Sequence, residues 1–130
     1  VDMAATTFKD VTIFSSAART ATANSDDNFS HGSRGLWVVL DVTAASGSTP
    51  TLDVKLQRKD PLSGSYVDLP GGVFAQKTAT GTAGLTVYPG IAETTNVSAS
   101  DVISEVFRAV ATIGGSTPSF TFSLAGSLIP

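Results

Sequence analysis

The chain has 130 residues, no cysteine, one histidine and a formal net charge of −3. That length suits one domain with a core of its own, and the missing cysteine excludes disulfides, thiolate nucleophiles and the usual zinc sites. With 15% charged residues and eight scattered cations, it is a poor partner for nucleic acid or an anionic membrane, and no apolar run approaches the ~20 residues of a spanning helix.

In chain order, VDMAATTFKDVTIF (residues 1–14) carries acid early and lacks a continuous apolar run, so it does not read as a signal peptide. Phe8 to Phe14 is either an edge strand or, with Met3, Phe8, Ile13 and Phe14 as apolar anchors, an arm that attaches to a partner. Residues 15–130 make the rest of the domain. GLWVVLDVT alternates, with Leu36, Val38, Leu40 and Val42 on one face and Trp37, Val39, Asp41 and Thr43 on the other. TLDVKLQRK repeats the form with Leu52, Val54 and Leu56 inward, and SFTFSLA does so with Phe120, Phe122 and Leu124. Period-two alternation marks half-buried strands. Tyr66–Leu69, Val73–Lys77 and Leu85–Tyr88 are shorter candidates. Glu105–Ile113, apolar on both faces apart from Arg108, predicts a central strand.

Turn signals separate these runs: DPLSG, LPGG, TGTAG, YPG, and GSTP twice, at Gly47–Pro50 and Gly115–Pro118. Each GSTP is expected to turn a hairpin, with Gly at positive φ and Pro opening the return strand. The first hairpin would set Asp41 opposite Lys55. Ser98–Glu105 (SASDVISE) is expected to form one short helical turn capped by Ser100, with Asp101 near its N-terminus. The fold class is all-β, a single-domain antiparallel β-sandwich of jelly-roll-like form with at most one short helical turn.

The search for chemistry yields little. Asn24–Gly35 (NSDDNFSHGSRG) holds the only histidine, His31, beside Asp26, Asp27 and Arg34. No Gly-x-Ser-x-Gly elbow accompanies it, and the spaced acids of a calcium loop are absent. The glycine turns lack the lysine of a phosphate loop. Asp53, Asp60 and Asp68 are explained by outward strand and turn positions without a glycosidase cleft. The Asn96 sequon means little without a secretory signal. The expectation is a protein that is not an enzyme, with no catalytic residues, no metal and no cofactor.

SSAARTATANSDD, RGLWVVLDVTA, KDPLSGSYVDL, LTVYPGI and SFTFSLAGSLI stand in this order over residues 7–129. In them the chain resembles a family of small all-β virion proteins of tailed bacteriophages, and in particular head decoration, or cement, proteins. Asp60–Tyr66 and Val87–Gly90 are the most recognisable blocks. Where similar sequences often show Trp-Arg, this chain has Phe107-Arg108. The resemblance implies a protein made in the bacterial cytoplasm that sits on the outside of the phage head and ties major capsid subunits together. It implies the major capsid protein as partner and a homo-oligomer, a trimer being favoured. Met3, Phe8, Ile13, Phe14, Arg34 and Arg108 are the candidate interface residues. Arg34 and Arg108 can equally serve as structural partners of Asp26 or Glu105. The rival readings are a tail or neck component and a host- or carbohydrate-binding module.

Overall fold

A chain of alternating strands must cover its own apolar face when it has no helix to do so. The computed structural model describes residues 7–130; Met3 and the other residues of 1–6 lie outside the described part. Eight strands follow one another: β1 (Lys9–Arg19), β2 (Ala23–Asn24), β3 (Asn28–Phe29), β4 (Gly35–Lys59), β5 (Tyr66–Val73), β6 (Gly81–Val87), β7 (Ser98–Ala99) and β8 (Val106–Ile129). They form one sheet in the order β1–β8–β4–β6–β7, with β2 and β3 also paired to β8 and β5 to β4. The all-β class is as expected. The described residues contain no helix.

β4 and β8, 25 and 24 residues long, pair antiparallel from Gly35↔Ile129 to Arg58↔Phe107. A straight strand of that length spans about 80 Å. Yet the Ile103 N–H donates to the Arg34 carbonyl at 3.0 Å. That bond joins the residue before β4 to the approach to β8, which the ladder places at opposite ends. The ladder therefore doubles over and brings its two ends together. Leu36, Val38 and Leu40 from one arm, Leu52, Val54 and Leu56 from the other, and Phe107, Phe120, Phe122 and Leu124 of β8 are all 0% exposed in one cluster. The inward faces read from the alternation are the ones buried. The first half of β8, expected as a central strand, lies between β4 and the short β2 and β3, while β1 flanks its second half.

The two GSTP segments are where the ladder bends, and this corrects the hairpin reading. β4 does not pair with itself: Ser48 lies opposite Ser116, so each bend crosses the other. Their geometry matches across a local twofold. φ is +114° at Gly47 and +110° at Gly115, and +47° at both Thr49 and Thr117. Each Thr hydroxyl donates 2.8 Å to the preceding Ser carbonyl. A Cβ on Gly47 would lie 2.7 Å from the Thr117 carbonyl, and one on Gly115 would lie 2.7 Å from that of Thr49. Only glycine lets the two backbones approach this closely at that φ.

Asp41 consequently does not face Lys55. Asp41 sits between Ser123 and Thr82 and accepts from the Thr82 hydroxyl, whereas Lys55 pairs with Asp68 at 3.0 Å. The helical turn expected at Ser98–Glu105 does not form either. Ser98 and Ala99 make a parallel strand beside Thr86 and Val87. The Asp101 carboxylate is taken by Arg58 at 2.9 Å, and Ile103 turns into the core at 5% exposure.

β1 is the edge strand, so Phe8–Phe14 runs into the sheet rather than ending at residue 14. Its bulged half is closed by its own last residue. Arg19 donates to the Ser15, Ala17 and Phe122 carbonyls at 2.9, 3.3 and 3.1 Å. Its guanidinium also lies 4.8 and 4.6 Å from the rings of Phe14 and Phe122. Edge carbonyls engaged in this way are not offered to another strand.

Candidate partner-binding end

Doubling over gives the molecule two unlike ends. The bend end consists of Ser46–Thr51 and Gly114–Ser119, entirely Gly, Ser, Thr and Pro. The opposite end collects the starts of β1, β4, β5 and β8 and the ends of β3, β4, β6 and β8. There most of the exposed large apolar side chains gather: Phe8, Phe29, Trp37, Leu62, Val67 and Val102, whereas Val73 and Val97 lie apart, Asn96 bonding the Val73 carbonyl. Exposed apolar groups collected in one region mark an interaction surface, whereas single ones do not.

Leu62 is the most prominent, 96% exposed at the tip of the loop between β4 and β5. The Asp60 carboxylate accepts from the Leu62 N–H at 3.1 Å and the Ser63 hydroxyl at 2.6 Å, and Ser63 Oγ in turn accepts from the Ser65 N–H at 3.1 Å. The Gly64 N–H closes the turn on the Asp60 carbonyl at 2.9 Å. These hydrogen bonds, the Ser63 hydroxyl foremost, hold the Asp60 carboxyl below its usual range. The loop is thus built by its polar residues and presents its one large apolar residue to solvent.

Beside it, on the outer face of β4, β5 and β8, alternation places Lys55, Gln57 and Lys59 next to Tyr66 and Asp68, with Arg108 across the ladder. The Arg108 guanidinium lies 3.4 Å from the Tyr66 ring centroid, and its Nε donates 2.9 Å to Gln57 Oε1. Gln57 is held by donating 2.9 Å to Asp68. The Tyr66 hydroxyl donates 2.6 Å to Asp27, and Lys59 reaches the other oxygen of the same carboxylate at 2.8 Å. The Lys59 hydrogen bond, then that of Tyr66, keeps the Asp27 carboxyl below its ordinary value, and Asp27 in return raises the Lys59 ammonium. Gln57, then Lys55, lowers Asp68 in the same way.

The cations of this end are unequally served. Lys55, Arg58 and Lys59 each have a carboxylate, Asp68, Asp101 and Asp27, at 3.0, 2.9 and 2.8 Å. Among the described residues Arg108 has none, and its terminal nitrogens have no hydrogen-bond partner. Next to it opens a cleft of about 400 Å³ lined by Lys59, Asp60, Pro61, Gly64, Ser104, Glu105 and Val106, with mostly apolar walls. A larger hollow of about 500 Å³ lies between β5 and residues 93–98. Its one carboxylate, Glu93, accepts from the Ser100 N–H at 3.3 Å, and Asn96 spans it to bond the Val73 carbonyl at 3.1 Å.

No family model, curated protein or solved structure matches this chain.

Of the residues singled out from the sequence, Met3 lies outside the described part. Phe8 is 66% exposed at the apolar end, whereas Ile13 and Phe14 are core residues at 7 and 5% exposure. Burial takes those two out of reach of a partner. Arg34 is exposed and pairs with neither Asp26 nor Glu105. Its backbone ties the ends of the ladder together, donating to Ile129 and accepting from Ile103 at 3.0 Å each. Arg108 likewise ignores Glu105 and rests on Tyr66. His31 stands at φ +51° with its ring 6.1 Å from that of Phe29, in a shallow cleft of about 220 Å³ with Lys9, Asp10 and Asp27. Among the described residues, no group of three His, Cys, Asp or Glu side chains converges on a point. Tyr66, Gln57 and Leu62 were not anticipated. Tyr66 and Gln57 are outward positions on neighbouring strands, a signal that is readable only once the strands are known to be neighbours, and Leu62 is the apolar residue of the DPLSG turn.

Proposed function

We propose that this chain is a bacteriophage head decoration protein, which binds the outer surface of the head through its apolar end and braces neighbouring major capsid subunits. The contrast between the two ends carries this reading. One end offers Phe8, Phe29, Leu62 and Val102 with an Arg–Tyr pair at its margin. The other offers only small polar residues suited to facing solvent. Exposed apolar groups collected in one region mark an interaction surface, and Arg and Tyr, residue types that often anchor interfaces, stand at its margin. The resemblance of its sequence blocks to phage virion proteins suggests the partner class, and the sheet that doubles over on itself would be the body of the brace. Self-association as a trimer would make each weak contact multivalent, so that occupancy rises without new contacts.

The test is co-sedimentation of the purified protein with heads that lack it. Saturable binding near a fixed ratio to the capsid protein supports the reading. Protein left in the supernatant, or bound in only a few copies per particle, removes it. One observation favours a second reading: Trp37, 46% exposed on the outer face of β4, is the kind of flat surface on which a sugar ring stacks. Binding to host glycans with none to heads would select that alternative.

A further inference from the structure

We infer that the loaded end carries a preformed receptor for a protein segment in which a carboxylate stands beside an apolar side chain. Arg108 takes the carboxylate, and the cleft walled by Pro61 and Val106 takes the apolar group. This deepens the decoration reading, on which it rests only for the identity of the partner.

The cation is available where its neighbours are not. A ligand carboxylate that engaged Lys55, Arg58 or Lys59 would have to displace Asp68, Asp101 or Asp27 from ion pairs of 3.0, 2.9 and 2.8 Å. Engaging Arg108 breaks no such ion pair among the described residues; Asp27 feels its charge but bonds Lys59 and Tyr66 instead. The group is also already oriented. Tyr66 backs one face of the guanidinium at 3.4 Å and Gln57 holds Nε at 2.9 Å, so the terminal nitrogens remain as a fork. Such a fork matches the two oxygens of a carboxylate, and fixing it beforehand removes much of the ordering cost of binding.

The chemistry of the ligand follows from the surroundings. Asp27 and Asp68 flank the seat, and Asp60 and Glu105 line the cleft, the Asp60 carboxylate being occupied by the Leu62 N–H and the Ser63 hydroxyl. One unmatched positive charge among several carboxylates suits a single negative charge, whereas the polyanionic backbone of a nucleic acid meets repulsion there. The apolar half comes from the same strand. Val106 lies two residues from Arg108 on the same outward face, and Lys59 belongs both to the Tyr66 network and to the cleft wall. A segment that sets its carboxylate on Arg108 therefore has its adjacent side chain over the cleft, next to the fixed Leu62 loop.

The test is an NMR titration of the full chain at low ionic strength with two probes, acetyl-Glu-Leu-amide and acetyl-Gln-Leu-amide. The readouts are the Arg108 Nε–H resonance and the Val106 methyls. The Glu probe is expected to bind about threefold more tightly or better, moving both signals along one saturation curve. Arg108→Lys keeps the charge but loses the fork, and should bring the two probes close together. Should that variant not fold, the Glu and Gln comparison on the unaltered chain still decides. Equal affinities, no binding, or shifts at Arg34 or Lys9 instead of Arg108 overturn the inference. Probe binding by a protein that fails to sediment with heads would keep the receptor and remove the decoration reading. Head binding with equal probe affinities would do the reverse.

Discussion

Gly47→Ala and Gly115→Ala, 68 residues apart in the chain, should cost the same stability. At Gly47 a new Cβ meets the Thr117 carbonyl oxygen at 2.7 Å, the Pro118 Cα at 2.9 Å and the Ser116 carbonyl oxygen at 3.0 Å. At Gly115 it meets Thr49, Pro50 and Ser48 at the same three distances. Forcing alanine to the φ of +114° or +110° costs about 1–3 kcal/mol. The clash with backbone adds about 1–3 kcal/mol, and alanine's stiffer unfolded chain offsets up to ~1 kcal/mol. The net is about 1–6 kcal/mol, or a fall in melting temperature of about 4–22 °C at this chain length. Calorimetry of both variants, with urea unfolding as a second measure, reads it directly. Gly90→Ala is the control: φ is +87° but nothing lies within 4 Å of its Cβ, so only the conformational cost remains. Because both alanines strain one crossing, the double variant should lose less than the sum of the two. Neutral variants, or costs differing between Gly47 and Gly115 by more than about 1 kcal/mol, would refute the matched crossing as the device that doubles the ladder.

Three further outcomes are expected. Phe122→Ala removes a ring that is 0% exposed and stacked edge-on to Phe14 at 5.5 Å; urea unfolding should show a loss of about 3–5 kcal/mol. Leu62→Ala, at a side chain 96% exposed, should leave stability within about 0.5 kcal/mol yet reduce sedimentation with heads, so that binding and folding separate in one variant. Asp27, Asp60 and Asp68 are held below their ordinary values by hydrogen bonds and cations. Their contribution is therefore complete above the unfolded carboxyl value of about 4 and is lost as pH falls through the lowered folded values. Urea midpoints should hold steady from neutral pH down to about 5 and decline below that, and Asp27→Asn should flatten the decline; a midpoint independent of pH in the acid range would contradict these pairings.

The inward faces were legible because alternation depends only on whether a residue meets core or water. Leu52, Val54 and Leu56, or Phe120, Phe122 and Leu124, carry that signal locally. The bends were not legible. A glycine at positive φ followed by proline serves a hairpin turn and a kink in a continuous strand equally well. What decides between them is the second GSTP, which fits the first only through a twofold in space. The tail of residues 98–105 shows the same limit, since Ser100 and Asp101 have helix-capping chemistry locally. Arg58, 43 residues earlier, claims the Asp101 carboxylate, and the core claims Ile103. At the candidate site, Arg108 was marked as the lone charge in an apolar strand. Its seat on Tyr66 depends on two strand pairings, β5 with β4 and β4 with β8, that periodicity does not reveal.

The most direct measurement is a cryo-EM map of the intact particle at a resolution that orients a 13.2 kDa domain. The decoration account expects copies arrayed over the head with Leu62 and Arg108 against the capsid shell and the two GSTP bends pointing to solvent. Density for the domain only at the neck, tail or fibres, or bends buried against the shell with Leu62 facing outward, would contradict it.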